Sequence, residues 1–265
     1  MPASDPLTLR APLAAIMREA GALARETSHR PFKKWTKGPD KSPVTEGDIA
    51  VNDLLQARLA QLAPDAGWVS EETPPTDHGR RIAWIVDPID GTRAYIAGFP
   101  DWTISVALVA DGRPLLAALY APVTEEMFLA VRGAGATLNG SEIRASGGAG
   151  LDGARLAGPK RYLDRLGRIE PGAQPQPKVH SLALRMARVA QGGLEAAFSS
   201  GGSRDWDLAA ADLLVHEAGG VMTDFAGRPL TFNQEKGSHG ALIAAGAERH
   251  DALIELLRER QAEFA

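Results

Sequence analysis

Six carboxylates stand at the ends of separate sequence segments: Asp48, Glu71, Glu72, Asp87, Asp90 and Asp207. Asp87 and Asp90 lie three residues apart in Trp84-Ile85-Val86-Asp87-Pro88-Ile89-Asp90-Gly91-Thr92-Arg93. Carboxylate oxygens hold hard cations, and a helix opened by Gly91-Thr92 would turn free N–H groups and a positive dipole end toward an anion. The stretch therefore predicts a cation beside a phosphate. Each acid also has a local explanation. Asp-Pro and Asp-Gly are common turn pairs, Asp48 completes a capping box begun at Thr45, Glu71-Glu72 can simply face water, and Asp207 can cap the helix it opens. Jointly the acids say more. Two like charges ~4 Å apart at an effective dielectric of ~20 repel by about 4 kcal/mol. If these carboxylates converge, two or three Mg²⁺ ions would remove the repulsion and form a hydrolytic site.

Positioning such residues takes elements, and the chain offers them in order. Leu7–Thr27 has apolar residues at 9, 13, 16, 17, 20 and 23, which predicts an amphipathic helix. Ser28–Pro43, with Lys33, Lys34, Lys37, Gly38 and Lys41, shows no period. It reads as a mobile basic loop, either a solvated connection or a set of lysines closing over an anionic substrate. A helix follows Thr45 to about Leu62, with Leu54, Leu55, Leu59 and Leu62 as its stripe. Gly67–Ser70 reads as a strand ending in Glu71-Glu72, and Pro74-Pro75 as a turn. Ile82–Val86 reads as a buried strand that stops at Asp87-Pro88, because proline cannot continue a central ladder. Trp102–Ala110, Leu115–Tyr120 and Met127–Val131 continue as strands joined by short turns, hence an antiparallel sheet.

Ser146–Pro159 turns to Gly, Ala and Ser and marks a candidate domain boundary; Glu170–Pro177 is a second loop. Helices at Ser181–Gln191, Trp206–Ala218 and Arg249–Glu263 then alternate with strands at Leu194–Phe198, Val221–Asp224 and Ala241–Ala244. The alternation predicts an α/β half, residues 149–265, packed on an α+β half, residues 1–148.

Composition narrows the chemistry. The 265 residues carry a net charge of −4, which argues against a nucleic-acid polymer as partner. No cysteine is present, so thiolate nucleophiles, disulfides and zinc–sulfur sites are excluded. The six histidines (29, 78, 180, 216, 239 and 250) have no ligand spacing and read as surface or core residues. Arg10, Arg18, Glu19 and Arg25 interrupt any signal-peptide core. The longest strongly apolar run, Trp102–Ala110, falls far short of the ~20 residues that span a membrane. A cytoplasmic protein with no membrane partner is the expectation.

Asp87-Pro88-Ile89-Asp90-Gly91-Thr92, preceded by Trp84-Ile85-Val86 and Glu71-Glu72 and followed by Trp206-Asp207-Leu208-Ala209-Ala210 and Glu217-Ala218-Gly219-Gly220, closely resembles the inositol monophosphatase superfamily. That group holds inositol monophosphatases, bisphosphate nucleotidases, fructose bisphosphatases and a histidinol-phosphate phosphatase branch. The resemblance covers residues 44–245, and the hexamer joined to the later Trp-Asp is highly specific. It implies a layered αβαβα sandwich, usually dimeric, and inhibition by lithium. Glu71, Asp87, the Ile89 carbonyl and Asp90 would hold the first Mg²⁺ ions, and Asp87, Asp90 and Asp207 would share the second. A third, weaker ion would sit near Glu71 and Glu72. Gly91 and Thr92 would donate N–H groups to the phosphate, with Arg93 beside them. Thr92 and Asp48 would orient and deprotonate the attacking water, with Glu72 counted among the catalytic acids.

The substrate is less determined. Inositol-selective members carry a glutamate about seven residues before the Trp-Asp aspartate, where this chain has Ser200. Arg204 could grip a second phosphate, or pair with Asp205 or Glu195. Arg93-Ala94-Tyr95-Ile96-Ala97-Gly98 resembles the histidinol-phosphate branch, while Trp206-Asp207-Leu208-Ala209-Ala210 departs from it. The expected activity is Mg²⁺-dependent hydrolysis of a small phosphate monoester, of the inositol monophosphate or adenosine bisphosphate class. The alternatives are a histidinol-phosphate phosphatase and a non-catalytic sensor of a phosphate ligand on the same scaffold.

Overall fold

Alternating apolar and polar positions sort the chain into two sheets and the helices that cover them. The computed structural model describes residues 5–38, 42–74 and 80–264, so Lys41, Pro75 and His78 lie outside the described residues. Helix α1 (Pro6–Ser28) begins where the Asp5 carboxylate accepts the Leu7 N–H, and its period buries Leu9, Leu13, Met17, Ala20 and Ala24. Strands β1 (Lys34–Lys37) and β2 (Ser42–Thr45) then pair antiparallel. The predicted basic loop is thus in part a hairpin. It buries only Val44 and Thr45, so no apolar alternation betrays it in the sequence.

Helix α2 (Glu46–Leu62) starts at the capping box as expected, with Thr45 and Asp48 exchanging side-chain-to-backbone bonds. Strand β3 (Gly67–Ser70) runs parallel to β4 (Ile82–Asp90). Strand β4 does not end at Val86; it continues through Asp87-Pro88 to Asp90, with a bulge. After helix α3 (Thr92–Ala97) come β5 (Thr103–Ala110), β6 (Arg113–Ala121), β7 (Glu126–Val131), β8 (Ala136–Leu138) and β9 (Ser141–Glu142). These make one seven-stranded sheet in the order β3-β4-β5-β6-β7-β8-β9, antiparallel from β4 onward.

The second half supplies β10 (Arg155–Ala157), α4 (Lys160–Ile169), β11 (Gln174–Pro175), α5 (Leu182–Ala190), β12 (Ala196–Ser199), α6 (Asp205–Glu217), β13 (Gly220–Asp224), β14 (Leu242–Gly246), α7 (Ala247–Glu259) and α8 (Gln261–Phe264). Its five-stranded sheet has the order β11-β10-β12-β14-β13. Segments read as linkers thus contain β10 and β11. The single terminal helix is two, broken at Arg260, which caps α7.

Helices α1 and α2 cover one face of the large sheet, α5 and α6 lie between the sheets, and α4 and α7 cover the far face. This is a layered αβαβα sandwich. Its central core joins Ile85, Ala107, Leu119 and Phe128 of the large sheet to Leu184, Leu208, Leu214, Met222 and Ala244 of the second half. Among the described residues, no helix is long and apolar enough to cross a membrane.

Candidate metal centre

The bulge on β4 is the local device that shapes the site. Asp87 pairs with Ser105 and Asp90 with Thr103, so three steps on β4 face two on β5. An extra residue in one strand breaks the ladder locally, and Pro88, which has no N–H to give, is tolerated there. The Asp87 carboxylate accepts the Ile89 N–H at 3.0 Å, closing the bend. Gly91 follows with φ of 95°, and a Cβ there would come within 3.3 Å of the Ser181 nitrogen and 3.4 Å of Trp102 Cα. Only glycine fits both the backbone angle and the space.

Three chain segments bring their acids to this bend. Asp90 Oδ2 accepts from Ser181 Oγ at 2.6 Å and the Ala183 N–H at 2.7 Å, tying β4 to the start of α5. Asp207, at the third position of α6, accepts the Arg204 N–H at 2.7 Å. Asp87, Asp90 and Asp207 each offer an oxygen, and these oxygens lie within 4.8 Å of one another. Asp48 Oδ2 accepts from Thr45 at both its N–H (2.7 Å) and hydroxyl (2.6 Å). Its other oxygen lies 3.3 Å from Thr92 Oγ1, which also reaches the Ile89 carbonyl at 3.1 Å. The single hydroxyl hydrogen of Thr92 therefore has two acceptors.

The electrostatics follow from this crowding. Burial first, then Glu71, Asp90 and Asp207, hold the Asp87 carboxyl well above the usual range. Asp207 is raised in the same way, by burial and then by Asp90. Burial raises Asp90 to about 6 against the donors at the start of α5, and Asp48 to about 6 against Thr45. Hard oxygen donors, close together and short of positive charge, are the donor set that a small divalent cation requires. The residues present fit Mg²⁺.

Glu71, Asp87, Ile89, Asp90, Gly91, Thr92, Arg93 and Asp207 line one cavity of about 220 Å³. Asp48 reaches it through Thr92. The side chain of Glu72 is buried beside it, its carboxylate 2.5 Å from Lys37 Nζ. Burial still lifts Glu72 to about 7. The same ammonium contacts Glu71 Oε1 at 3.1 Å, so the β1–β2 hairpin supplies a cation to both glutamates. Arg204 points elsewhere: its guanidinium lies 5.2 Å from the centre of the Trp206 ring and donates to the Lys236 carbonyl at 3.2 Å. Asp205 and Glu195, its two envisaged partners, bind His239 and Arg155.

Sequence reading missed Lys178 and His180, which also line the cavity. His180 is fixed by Asp101, at 2.8 Å from its Nδ1 and 2.7 Å from its N–H, and stacks on Phe99. Nothing in their spacing marks them. Ser181 did leave a signal, since a serine immediately before an apolar periodic run reads as an N-cap, and it caps α5 while donating to Asp90.

Comparison with known proteins gives a consistent picture. The sequence matches the inositol monophosphatase family over residues 5–262. It is 32% identical to the Nus factor SuhB of Escherichia coli over 228 residues, covering 81% of this chain and 85% of that protein. It is also 32% identical to inositol monophosphatase 2 of Solanum lycopersicum over 233 residues, covering 82% and 86%. The structure superposes on the Thermotoga maritima IMPase with a TM-score of 0.83 at 27% identity, covering 95% of this chain and 97% of that one.

Proposed function

Because this chain belongs to the inositol monophosphatase family, we propose that it is a Mg²⁺-dependent phosphomonoester hydrolase acting on a small phosphorylated metabolite. The observation that carries the reading is the convergence of Asp87, Asp90 and Asp207 from β4 and α6 on one point. In it, Glu71, Asp87, the Ile89 carbonyl, Asp90 and Asp207 hold two Mg²⁺ ions; a third, near Glu71 and Glu72, would compete with the Lys37 ammonium. Bound Mg²⁺ would activate a water and relieve charge on the phosphoryl oxygens. The protein's own groups do the rest. Gly91 and Thr92 present backbone N–H groups to the phosphate, and Arg93 adds a cation at the rim. Asp48, seated on Thr45, takes through Thr92 the proton that the attacking water loses. Residues 1–148 carry most of the ligands, and residues 149–265 contribute Asp207 and the substrate contacts.

The substrate belongs to the inositol monophosphate or adenosine bisphosphate class, with histidinol phosphate as the alternative. Arg204 enters as a substrate contact only if its side chain leaves Trp206. A cytoplasmic, lithium-sensitive homodimer without a nucleic-acid or membrane partner completes the reading. Asp90→Asn is expected to abolish Mg²⁺-dependent phosphate release from a panel of inositol 1-phosphate, adenosine 3′,5′-bisphosphate, histidinol phosphate and fructose 1,6-bisphosphate, while the protein stays folded. Retention of most activity would overturn the assignment.

The SuhB relatives, named Nus factors, favour a second reading in which the chain also serves as a Nus factor. Expression of the Asp90→Asn variant in Escherichia coli lacking SuhB separates the two. Rescue by the inactive variant supports the second role, and rescue by the active protein alone counts against it.

A further inference from the structure

Helix α4 packs Lys160, Arg161, Arg165 and Arg168 into ten residues of a chain whose net charge is −4. Its apolar side, Tyr162, Leu163 and Leu166, is buried against the outer face of the five-stranded sheet. Tyr162 meets the rings of Phe198, Phe225 and Phe264 there. Arg161 and Arg168 are exposed on the opposite side, and Arg165 is half-buried beside Phe264. The break between α7 and α8 returns beside them and brings Arg260 and Glu263. Arg165, Arg168, Ile169, Arg260 and Glu263 line a cavity of about 580 Å³ that shares no residue with the acid pocket.

The charges in this cavity do not balance. Its one carboxylate, Glu263, is engaged by Arg260 at 3.1 Å. Among the described residues, neither Arg165 nor Arg168 has an ion-pair partner. Arg165 lies with its guanidinium 5.9 Å from the centre of the Phe264 ring, and its Nη1 is buried without any hydrogen-bond partner. A buried charged donor that has lost water and gained no acceptor is costly. A tetrahedral oxyanion in the cavity would answer the excess positive charge of Arg165, Arg168 and Arg260, because guanidinium forks match phosphate oxygens. The negative charge of the rest of the chain opposes an extended polyanion and favours a compact one.

We infer that this cavity binds a compact phosphate group, inorganic phosphate or the terminal phosphate of a small metabolite, through Arg165, Arg168 and Arg260. The site is remote from the acid cluster and stands whether or not the chain is a phosphatase.

The test is calorimetric titration of the full chain with inorganic phosphate in EDTA, where the uncompensated carboxylates of the acid pocket repel anions. One phosphate is expected to bind. Arg168→Gln should weaken it about tenfold, the loss of one charge-assisted bond. Arg165→Lys, which keeps the charge and the packing on Phe264 but removes the fork, should weaken it several-fold. Arg93→Ala, in the acid pocket, should leave it unchanged. Titration with ADP identifies the source: tighter binding than phosphate points to a larger ligand's terminal phosphate, and equal or weaker binding to the free ion. Absence of saturable binding to the wild-type chain would overturn the inference. So would loss of binding in Arg93→Ala with full retention in Arg168→Gln.

Discussion

Asp205 and Asp207 stand on the same turn of α6 and meet opposite surroundings. Asp205 is buried and provided for: one oxygen lies 2.7 Å from His239 Nε2, and the other accepts the Asn233 N–H at 2.7 Å. Asp207 has the Arg204 N–H and then faces Asp90 and Asp87, carboxylates like itself. A buried acid that finds donors builds structure. Buried acids that find each other describe a site suited to a cation. The difference separates a fold residue from a site residue more sharply than burial does, since Asp205 is the more buried of the two.

Replacing the second residue of the pair should give the largest effect. Asp207→Asn is expected to lower Mg²⁺-dependent phosphate release by about 10²–10³-fold, the usual range for deleting one group that stabilises developing charge. Without Mg²⁺ the variant should be more stable than wild type at pH 7, because the amide removes a carboxyl whose ionised form the fold disfavours. Mg²⁺ at ~100 times its Kd should raise wild-type stability by about 2.7 kcal/mol and the variant's by less. Thermal melts with and without EDTA, alongside phosphate release, check all three. A variant that melts lower than wild type in EDTA would mean that Asp207 is as well provided for as Asp205, and the contrast would collapse.

Asp205→Asn should reverse the pattern at smaller scale. Replacing one of the two oxygens bonded to His239 Nε2 and the Asn233 N–H by an amide nitrogen is expected to cost about 1–3 kcal/mol of stability, while phosphate release per folded molecule stays within a few-fold of wild type. Urea unfolding and active-fraction measurements read the two separately. A loss of turnover as large as that of Asp207→Asn, without destabilisation, would place Asp205 in the chemistry.

Which of these residues the sequence reveals follows from how local their roles are. The Thr45–Asp48 capping box and the Asp87–Thr92 bend are specified within a few residues, so both can be read in advance. Pro88 misleads because its missing N–H falls at a bulge, which no spacing rule announces, and the strand runs on to Asp90. The β1–β2 hairpin is too exposed to show alternation, so Lys37 reads as a loop cation and its bond to Glu72 is visible only in three dimensions. Lys178 and His180 enter the pocket because Ser181 anchors α5 to Asp90, a contact across 91 residues. Helix α4 buries just three of its ten residues, Tyr162, Leu163 and Leu166, and so short an apolar stripe between two loop-like segments is easily passed over.

Asp212, two turns along α6 from Asp205, sharpens the comparison with an intermediate case. Burial raises its carboxyl to about 6, opposed by His216, Arg113, His239 and Arg132, and its Oδ1 has no hydrogen-bond partner although His216 Nδ1 lies 3.4 Å away. It has Arg113 and Arg132 near it where Asp207 has Arg204, but too few donors to match Asp205. Because its folded value lies above the ordinary 3.8, the folded state holds the proton more tightly than the unfolded chain. Its contribution to stability is therefore greatest below pH ~4, declines between pH ~4 and ~6, and stays low above that. The decline is of order 1–3 kcal/mol at 1.36 kcal/mol per pKa unit. Asp212→Asn removes that slope. The variant should match wild type in urea unfolding near pH 4, gain on it up to pH 6, and keep the gain at pH 7, with Mg²⁺-dependent phosphate release unchanged. If the variant is instead less stable than wild type at pH 7, the surrounding cations satisfy Asp212 as completely as His239 and the Asn233 N–H satisfy Asp205, and the acid cluster around Asp207 is then alone on this helix in lacking its counter-charge.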